Sequence, residues 1–381
     1  MTEFNLTPDA CKALIDPKWI GKRVAVAMSG GVDSSVAAII LAQAGCDVIG
    51  VTMKLWDYAS VGGDTQRDGR CCTIEAFSRC RSVADRYGFP HYTLDFCDRF
   101  ESDVIDYFVQ EYRQARTPNP CIVCNSRVRW PALWDKVAPL GCEAIATGHY
   151  VCVSTDEQGI DLRRGVDPDR DQSYFLWQVS REHLERAIFP LGGLVKTQIR
   201  ALARAWNLPT AETPESRDIC FVDDGDLGRF MAERGARDGI KDSSGDIISQ
   251  NGNVLGQHQG FEAYTIGQRK GLGVAVGRPQ YVTEIDPETA TVRLGDDADL
   301  MATRFAMRDV HRLVDTPSAL DDVYAQIRYR HKAAPARVHF VDENSAKIEF
   351  LQPERAITPG QSAVIYREDR VLAGGVIDSV G

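Results

Sequence analysis

The sequence predicts an α/β protein with a Rossmann-like parallel sheet first. A small, mostly β central region and an antiparallel β-barrel follow. Three observations predict this. Short β-rich runs alternate with helical stretches from Arg23 to about Thr147, a Ser/Gly loop joins the first strand to the first helix, and beyond about Asp223 Gly-rich turns separate short strands.

The elements follow in order. Arg23–Met28 reads as a buried strand, and Ser35–Ala44 as an Ala-rich helix stopped by Gly45. Cys46–Met53 is a second strand, Thr73–Tyr87 a helix stopped by Gly88, and His91–Asp95 a third strand. Arg99–Tyr112 is an amphipathic helix with Phe100, Val104, Ile105, Phe108 and Tyr112 on one side. A further helix over Ser126–Val137 is interrupted by Pro131, and Ala144–Thr147 supplies another strand. After Tyr150 come a hairpin-like stretch and helical segments near Arg181–Ala187 and Thr197–Trp206. The later strands include Ala263–Ile266, Gln280–Ile285, Thr291–Leu294, Tyr324–Tyr329, Arg337–Phe340 and Ala346–Phe350, with a turn at Asn251-Gly252. Boundaries near 223 and 287 divide the chain into 1–223, 224–286 and 287–381. In a parallel sheet covered on both faces, ligands bind beyond the C-terminal strand ends.

With 381 residues, the chain is long enough for two or three domains. No apolar run approaches the roughly 20 residues that span a bilayer, and Met1–Ile15 carries Glu3, Asp9 and Lys12, unlike a signal peptide. A cytoplasmic chain without a membrane partner is expected. The net charge of −10 argues mildly against a nucleic-acid partner. RNA contact would need local basic clusters: Arg127 with Arg129, Arg163-Arg164, Arg269-Lys270 and Arg328 to Lys332. Eleven cysteines in a chain of this kind are expected to be buried, metal-binding or catalytic, with Cys46 and Cys142 in the core. Cys71-Cys72 and Cys80 have no partner at zinc spacing and are read as ordinary thiols.

The strongest signal is Ser29-Gly30-Gly31-Val32-Asp33-Ser34-Ser35, directly after a strand and opening a helix. Glycines let the backbone approach a phosphate, while hydroxyls and the open N–H groups of a helix start hold the anion. A tight turn with an N-cap is the plainer alternative. The run has neither the Lys of a Walker A loop nor the G-x-G-x-x-G spacing. Met53 and Gly148 stand at strand ends where an adenine could rest, or they are core and turn residues. Two prolines make Thr117–Asn125 a loop ending at a helix start, where a thiol is expected to ionise readily. Cys220, a second candidate thiol, lies at the junction with the rest of the chain. Two separated thiols suit persulfide chemistry, one accepting sulfane sulfur and the other resolving it.

The Ser29–Ser34 run resembles the pyrophosphate-binding loop of the ATP pyrophosphatases. Ala27–Val36, Thr117–Asn125, Ala146–Tyr150, Asp171–Leu176, Tyr264–Gly273, Thr358–Ser362 and Gly374–Ile377, in this order, resemble the bacterial tRNA-specific 2-thiouridylases from about Arg23 to Ile377. The resemblance implies a tRNA-uridine 2-sulfurtransferase that uses ATP with Mg2+. Ala27, Met28, Ser29, Gly30, Gly31, Val32, Asp33 and Ser34 would bind ATP, with Met53 and Gly148 near the adenosine. The 2-oxygen of the wobble uridine would be adenylated, with release of pyrophosphate. Cys220 would carry a persulfide from a sulfur-relay donor, and Cys124 would form a transient disulfide with it as sulfur passes to C2 and AMP leaves. Asn119, Pro120 and Cys121 would touch the base, which must leave its stack. His149, Arg170, Asp171, Gln172, Arg328, Tyr329 and Gln361 would contact tRNA.

Two positions depart from the family's pattern. Cys121 replaces the aspartate expected three residues before the nucleophile, which opens a second route in which Cys121, Cys124 and Cys220 bind a 4Fe–4S cluster as sulfur carrier. Glu215-Ser216-Arg217-Asp218 replaces an Asp-Ser-Thr-Gly run. Two rivals remain open: another PP-loop ligase acting on a small metabolite, and a non-catalytic RNA-binding or sulfur-carrier protein.

Overall fold

The protein is described by a computed structural model covering residues 5–56, 73–156, 159–213, 219–222, 225–239, 243–275 and 277–381. Cys71-Cys72 and Glu215–Asp218 lie outside the described residues. The chain forms two compact units. The first is Met1–Val104, Cys121–Phe221 and Asp369–Val371; the second is Ile105–Pro120, Val222–Glu368 and Leu372–Gly381.

The first unit is built on strands β1 (Arg23–Ala27), β2 (Asp47–Lys54), β3 (His91–Asp95), β4 (Ala144–Ala146), the hairpin β5 (Val151–Asp156) and β6 (Gly159–Arg164), and β7 (Ala187–Ile188). Its sheet has the order β3-β2-β1-β4-β7 with parallel pairing throughout, so the predicted Rossmann-like sheet is present. Consecutive strands run outward from β1 to β3, and the next one returns to the other side of β1 as β4. The C-terminal ends of β1 and β4 therefore flank the switch point where such sheets bind ligands. Val24 and Val26 of β1 and Val36–Leu41 of the following helix are fully buried, which gives these elements their near-continuous apolar runs. That helix, Val32–Ala44, ends in a left-handed Gly45 (φ +94°), as the sequence predicts.

Proline explains two local departures from the predicted helices. A helical run starts at Pro120, where proline's missing N–H costs nothing. It widens into a π-helical segment over Cys124–Arg129, with the Trp130 N–H reaching back five residues to the Asn125 carbonyl at 3.2 Å. The α-helix resumes with Pro131 at its first position. Cys124 is therefore one turn inside the helical run, and Cys121 occupies the first turn. The predicted helix over Arg99–Tyr112 is present and contains a π-helical stretch at Glu101–Ile105.

The second unit holds β8 (Gly245–Ser249), β9 (Val254–His258), β10 (Tyr281–Asp286) and β11 (Thr291–Gly295) as a four-stranded sheet around Ile247, Val282, Val292 and Leu294. Its barrel strands are β12 (Met301–Arg312), β13 (Ala319–Gln326), β14 (Ala334–Phe340), β15 (Ala346–Arg355), β16 (Ser362–Arg367) and β17 (Arg370–Val380). They run in the order β12-β15-β14-β13-β16-β17, and pairing of β12 with β17 closes the barrel. Alternate residues of β14, from Ala336 to Phe340, fill the interior, which is the period-2 signal that made the strand legible. Two predicted strands are corrected. Ala263 ends a 3-10 turn (Phe261–Ala263) whose Phe261 is buried in the core, and no strand follows over Tyr264–Ile266. Arg328-Tyr329 lies beyond β13, in a turn whose carbonyls accept from the Gln326 side-chain amide at 3.2 and 2.8 Å.

Candidate active site

In the first unit, the loop after β1 is shaped by its own short side chains. The Ser34 hydroxyl accepts from the Ser29 N–H at 3.1 Å and donates to the Gly31 carbonyl at 3.2 Å, and Ser35 donates to that same carbonyl at 3.0 Å. Gly30 is left-handed (φ +74°), and a Cβ there would stand 2.7 Å from the Ala76 backbone. Gly31 is the helix N-cap and supplies no side-chain cap to the first amides of the helix, an arrangement that can accept an anion. Gly148, just past β4, packs so closely that a Cβ would lie 2.8 Å from Asp33 C and Ser34 N. The fold thus joins two motifs 114 positions apart, Ser34 and Gly148, at the switch point. Met53 is buried near the end of the neighbouring β2.

Asp33 places a negative charge in the first turn of this anion-accepting helix, and the structure offsets it. Lys196 Nζ donates to both carboxylate oxygens at 2.8 Å, and the Tyr150 hydroxyl donates to Oδ1 at 2.7 Å. The Lys196 side chain is only 10% exposed and also lies 5.7 Å from the Tyr150 ring centre. Sequence reasoning missed Lys196. It is one residue ahead of the predicted helix Thr197–Trp206, and nothing local distinguishes it from a solvated lysine.

The candidate thiols differ in setting. Cys124 is buried, Cys220 half-buried and Cys121 exposed. Among the described residues, no three His, Cys, Asp or Glu side chains form a group able to hold a metal ion. Cys121, Cys124 and Cys220 are thus not among any such group. Cys46 and Cys142 are core residues as predicted, and burial pushes both thiols up to about 11. Cys80 is fully buried.

Side chains following Cys124 connect its helix to the end of β4. Asn125 Nδ2 donates to the Phe175 carbonyl at 3.1 Å, and its Oδ1 accepts from Arg129 at 3.3 Å. Arg129 also lies 3.4 Å from His149 Nε2, and His149 Nδ1 lies 2.6 Å from the Thr147 hydroxyl. His149 is only 8% exposed; burial, aided by the Arg129 charge, pushes its pKa down to about 3, so the ring is neutral at pH 7.

The remaining candidate residues have defined internal roles. Asp171 is buried and accepts from Arg164, the Gly165 and Ser173 amides and the Ser173 hydroxyl, all within 3.1 Å. Gln172 pairs with the Tyr150 backbone through its own N–H (3.1 Å) and its side-chain oxygen (3.0 Å). Arg170 is half-exposed beside them. In the second unit, Asn119 is half-buried, Pro120 buried and Tyr329 half-exposed. Arg328 donates to the Arg355 carbonyl at 3.0 Å, and the Gln361 side chain donates to the Thr117 carbonyl at 3.0 Å.

Comparison with known proteins gives this geometry a family. The family described as "tRNA methyl transferase HUP domain" matches residues 22–224, "tRNA methyl transferase PRC-barrel domain" 237–296, and "Aminomethyltransferase beta-barrel domain" 302–377. The tRNA-specific 2-thiouridylase MnmA of Salinibacter ruber is 44% identical over 366 residues, covering 94% of this chain and 95% of the relative. The protein of the same name from Carboxydothermus hydrogenoformans is 47% identical, covering 94% and 98%, and that from Geobacter metallireducens 42%, covering 94% and 97%. Since the identity extends along nearly the whole length of both partners, the chain belongs to the tRNA-specific 2-thiouridylase family.

Proposed function

We propose that the protein thiolates the 2-position of a uridine in tRNA, at the wobble position, with ATP as the activating substrate. The observation that carries the ATP half is the uncapped helix start at the β1/β4 switch point, with the Asp33 charge offset by Lys196. Ala27 to Ser34 cradle the phosphates, and Met53 and Gly148 border the adenosine. Magnesium accompanies ATP. It would offset the negative charge of the phosphates as the α-phosphorus is attacked.

In the reaction, the uridine 2-oxygen attacks the α-phosphorus and the bond to pyrophosphate breaks, turning a poor leaving group into AMP. The terminal sulfur of a Cys220 persulfide, loaded by a donor protein, goes to C2. The Cys124 thiolate attacks the inner sulfur, leaving a Cys124–Cys220 disulfide and supplying the two electrons that reduce the sulfane sulfur. AMP departs with the former 2-oxygen, and an external dithiol restores both cysteines. Family membership supports this sulfur half, and the reducing cytosol suits its free-thiol state. Asn119, Pro120 and Cys121 meet the base. Arg170, Arg328 and Tyr329 face the RNA, whereas Asp171, Gln172 and His149 support the first unit's own share of the contact through their internal hydrogen bonds. The three-part division at about 223 and 287 separates a catalytic part from two accessory ones.

The test is nucleoside mass spectrometry of tRNA incubated with the protein, ATP and a persulfide source. Wild type should yield 2-thiouridine, and Cys124→Ser or Cys220→Ser should lower the yield by at least about 100-fold. A tRNA left unthiolated by the wild type, with pyrophosphate released from ATP by a small metabolite alone, would favour the ligase rival.

A further inference from the structure

The second unit holds residues 115–117 in a way that the reading above does not use. After helix Asp106–Arg113, Ala115 takes a left-handed backbone (φ +56°), which is unfavourable for a residue with a Cβ. The Arg116 N–H then bonds to the Glu111 carbonyl at 2.9 Å. Its guanidinium reaches the Glu111 carboxylate at 3.1 Å, the Ile377 carbonyl at 3.0 Å and the Asp378 carboxylate at 3.2 Å. Glu111 is buried and also receives Arg308 at 2.8 and 3.0 Å. Losing either arginine would strand a buried carboxylate with incomplete pairing.

The next residue is fixed through its backbone. The Thr117 N–H donates to the Pro359 carbonyl at 2.8 Å, and its own carbonyl accepts from the Gln361 side chain at 3.0 Å. Gly360, between those partners, has φ +90°, and a Cβ there would lie 2.6 Å from Thr117 N. The turn is itself attached to β17: Gly360 N–H bonds to the Ile377 carbonyl at 2.9 Å, and Ile377 N–H to the Gln361 carbonyl at 2.7 Å. A strained turn, a buried charge network and a two-sided backbone clasp all act on three consecutive residues.

We propose that Gln361 and Arg116 are positioning residues: the barrel edge holds Thr117–Pro120 in the conformation in which Asn119 and Pro120 meet the target base. The barrel thereby sets the rate of the chemical step in addition to any part in tRNA capture. This rests on the base-contact reading of Asn119 and Pro120. It assigns Gln361 a different role from the direct RNA contact that the family resemblance implies, since its amide already serves the Thr117 carbonyl.

The experiment uses the full chain with Gln361→Met, which keeps the length, and Gln361→Glu, which turns an acceptor toward the Thr117 carbonyl. Three quantities are measured: tRNA affinity by filter retention, single-turnover thiolation at saturating tRNA and ATP, and melting temperature. The expected result is a tRNA Kd within about twofold of wild type and a rate lowered on the order of 10-fold to 100-fold, as misplacement of a reacting group costs. Arg116→Lys should be intermediate, because it keeps a charge for Glu111 but loses the planar fork. A weakened Kd with the saturated rate preserved would overturn the proposal and make Gln361 an RNA contact, and unchanged values of both would overturn it as well. If the wild type forms no 2-thiouridine, the underlying functional reading fails first, and the control reaction shows this directly.

Discussion

The Ser29–Ser35 loop and the Thr117 segment both lie on irregular backbone, but they are held in opposite ways. Within Ser29 to Ser35 the serine hydroxyls close the turn with hydrogen bonds that span at most five residues, and Arg79 and Lys196 add bonds to the Gly30 carbonyl and the Asp33 carboxylate from outside. Thr117 is held by Gln361, 244 residues further along the chain. A locally closed loop takes its shape from its own residues and fails when one atom does not fit. A remotely clasped segment takes its shape from the finished fold, and it fails whenever the distant partner shifts, even if the segment's own sequence is intact.

The largest expected effect breaks the local side of this contrast. Gly30→Ala places a methyl 2.7 Å from the Ala76 backbone at a left-handed φ, so ATP affinity should fall on the order of 100-fold while tRNA affinity holds. Calorimetric titration with ATP measures this, and an affinity within tenfold of wild type would show that the loop tolerates displacement. Next comes charge. Lys196→Met leaves the Asp33 carboxylate facing the incoming phosphates and should weaken ATP on the order of tenfold. Adding Asp33→Asn to Lys196→Met should recover most of that loss. If the double variant is no better than the single one, Lys196 acts on the nucleotide directly.

The smallest effect concerns the connection from Arg129 through His149 to Thr147. The unfolded chain binds a proton at His149 as pH falls below about 6.5, whereas burial keeps the folded ring neutral down to about 3. Stability should therefore fall as pH drops through that window, by at most about 1.4 kcal/mol per pH unit. His149→Gln should flatten this limb of a urea-midpoint series from pH 7 to 4. An unchanged slope would mean that the ring takes up its proton in the folded state as well.

This contrast also explains what the sequence made legible. The five-stranded parallel sheet and the tight loop from its first strand into the next helix could be read because their signals are local: apolar runs set by burial on both faces, and glycines beside hydroxyls at a strand–helix junction. Lys196 and the Glu111, Arg116, Arg308 and Asp378 network could not, since a buried charged residue looks the same in sequence as a solvated one. The helix start at Pro120 was missed because two nearby prolines read as loop, although a proline at the first helical position costs no hydrogen bond. Strand β12 was missed because its bulges interrupt the two-residue alternation.

The buried cysteines carry a consequence for the traffic of sulfur. In the proposed reaction, a chain that handled a persulfide while holding eleven thiols would risk delivering the atom to the wrong one. Cys11, Cys46 and Cys142, with thiols raised to about 11 by burial, are ionised at pH 7 in only roughly one molecule in ten thousand. Their silence is a form of addressing: the core removes these competitors from the exchange by keeping them protonated, so the fold needs no separate device to guard them.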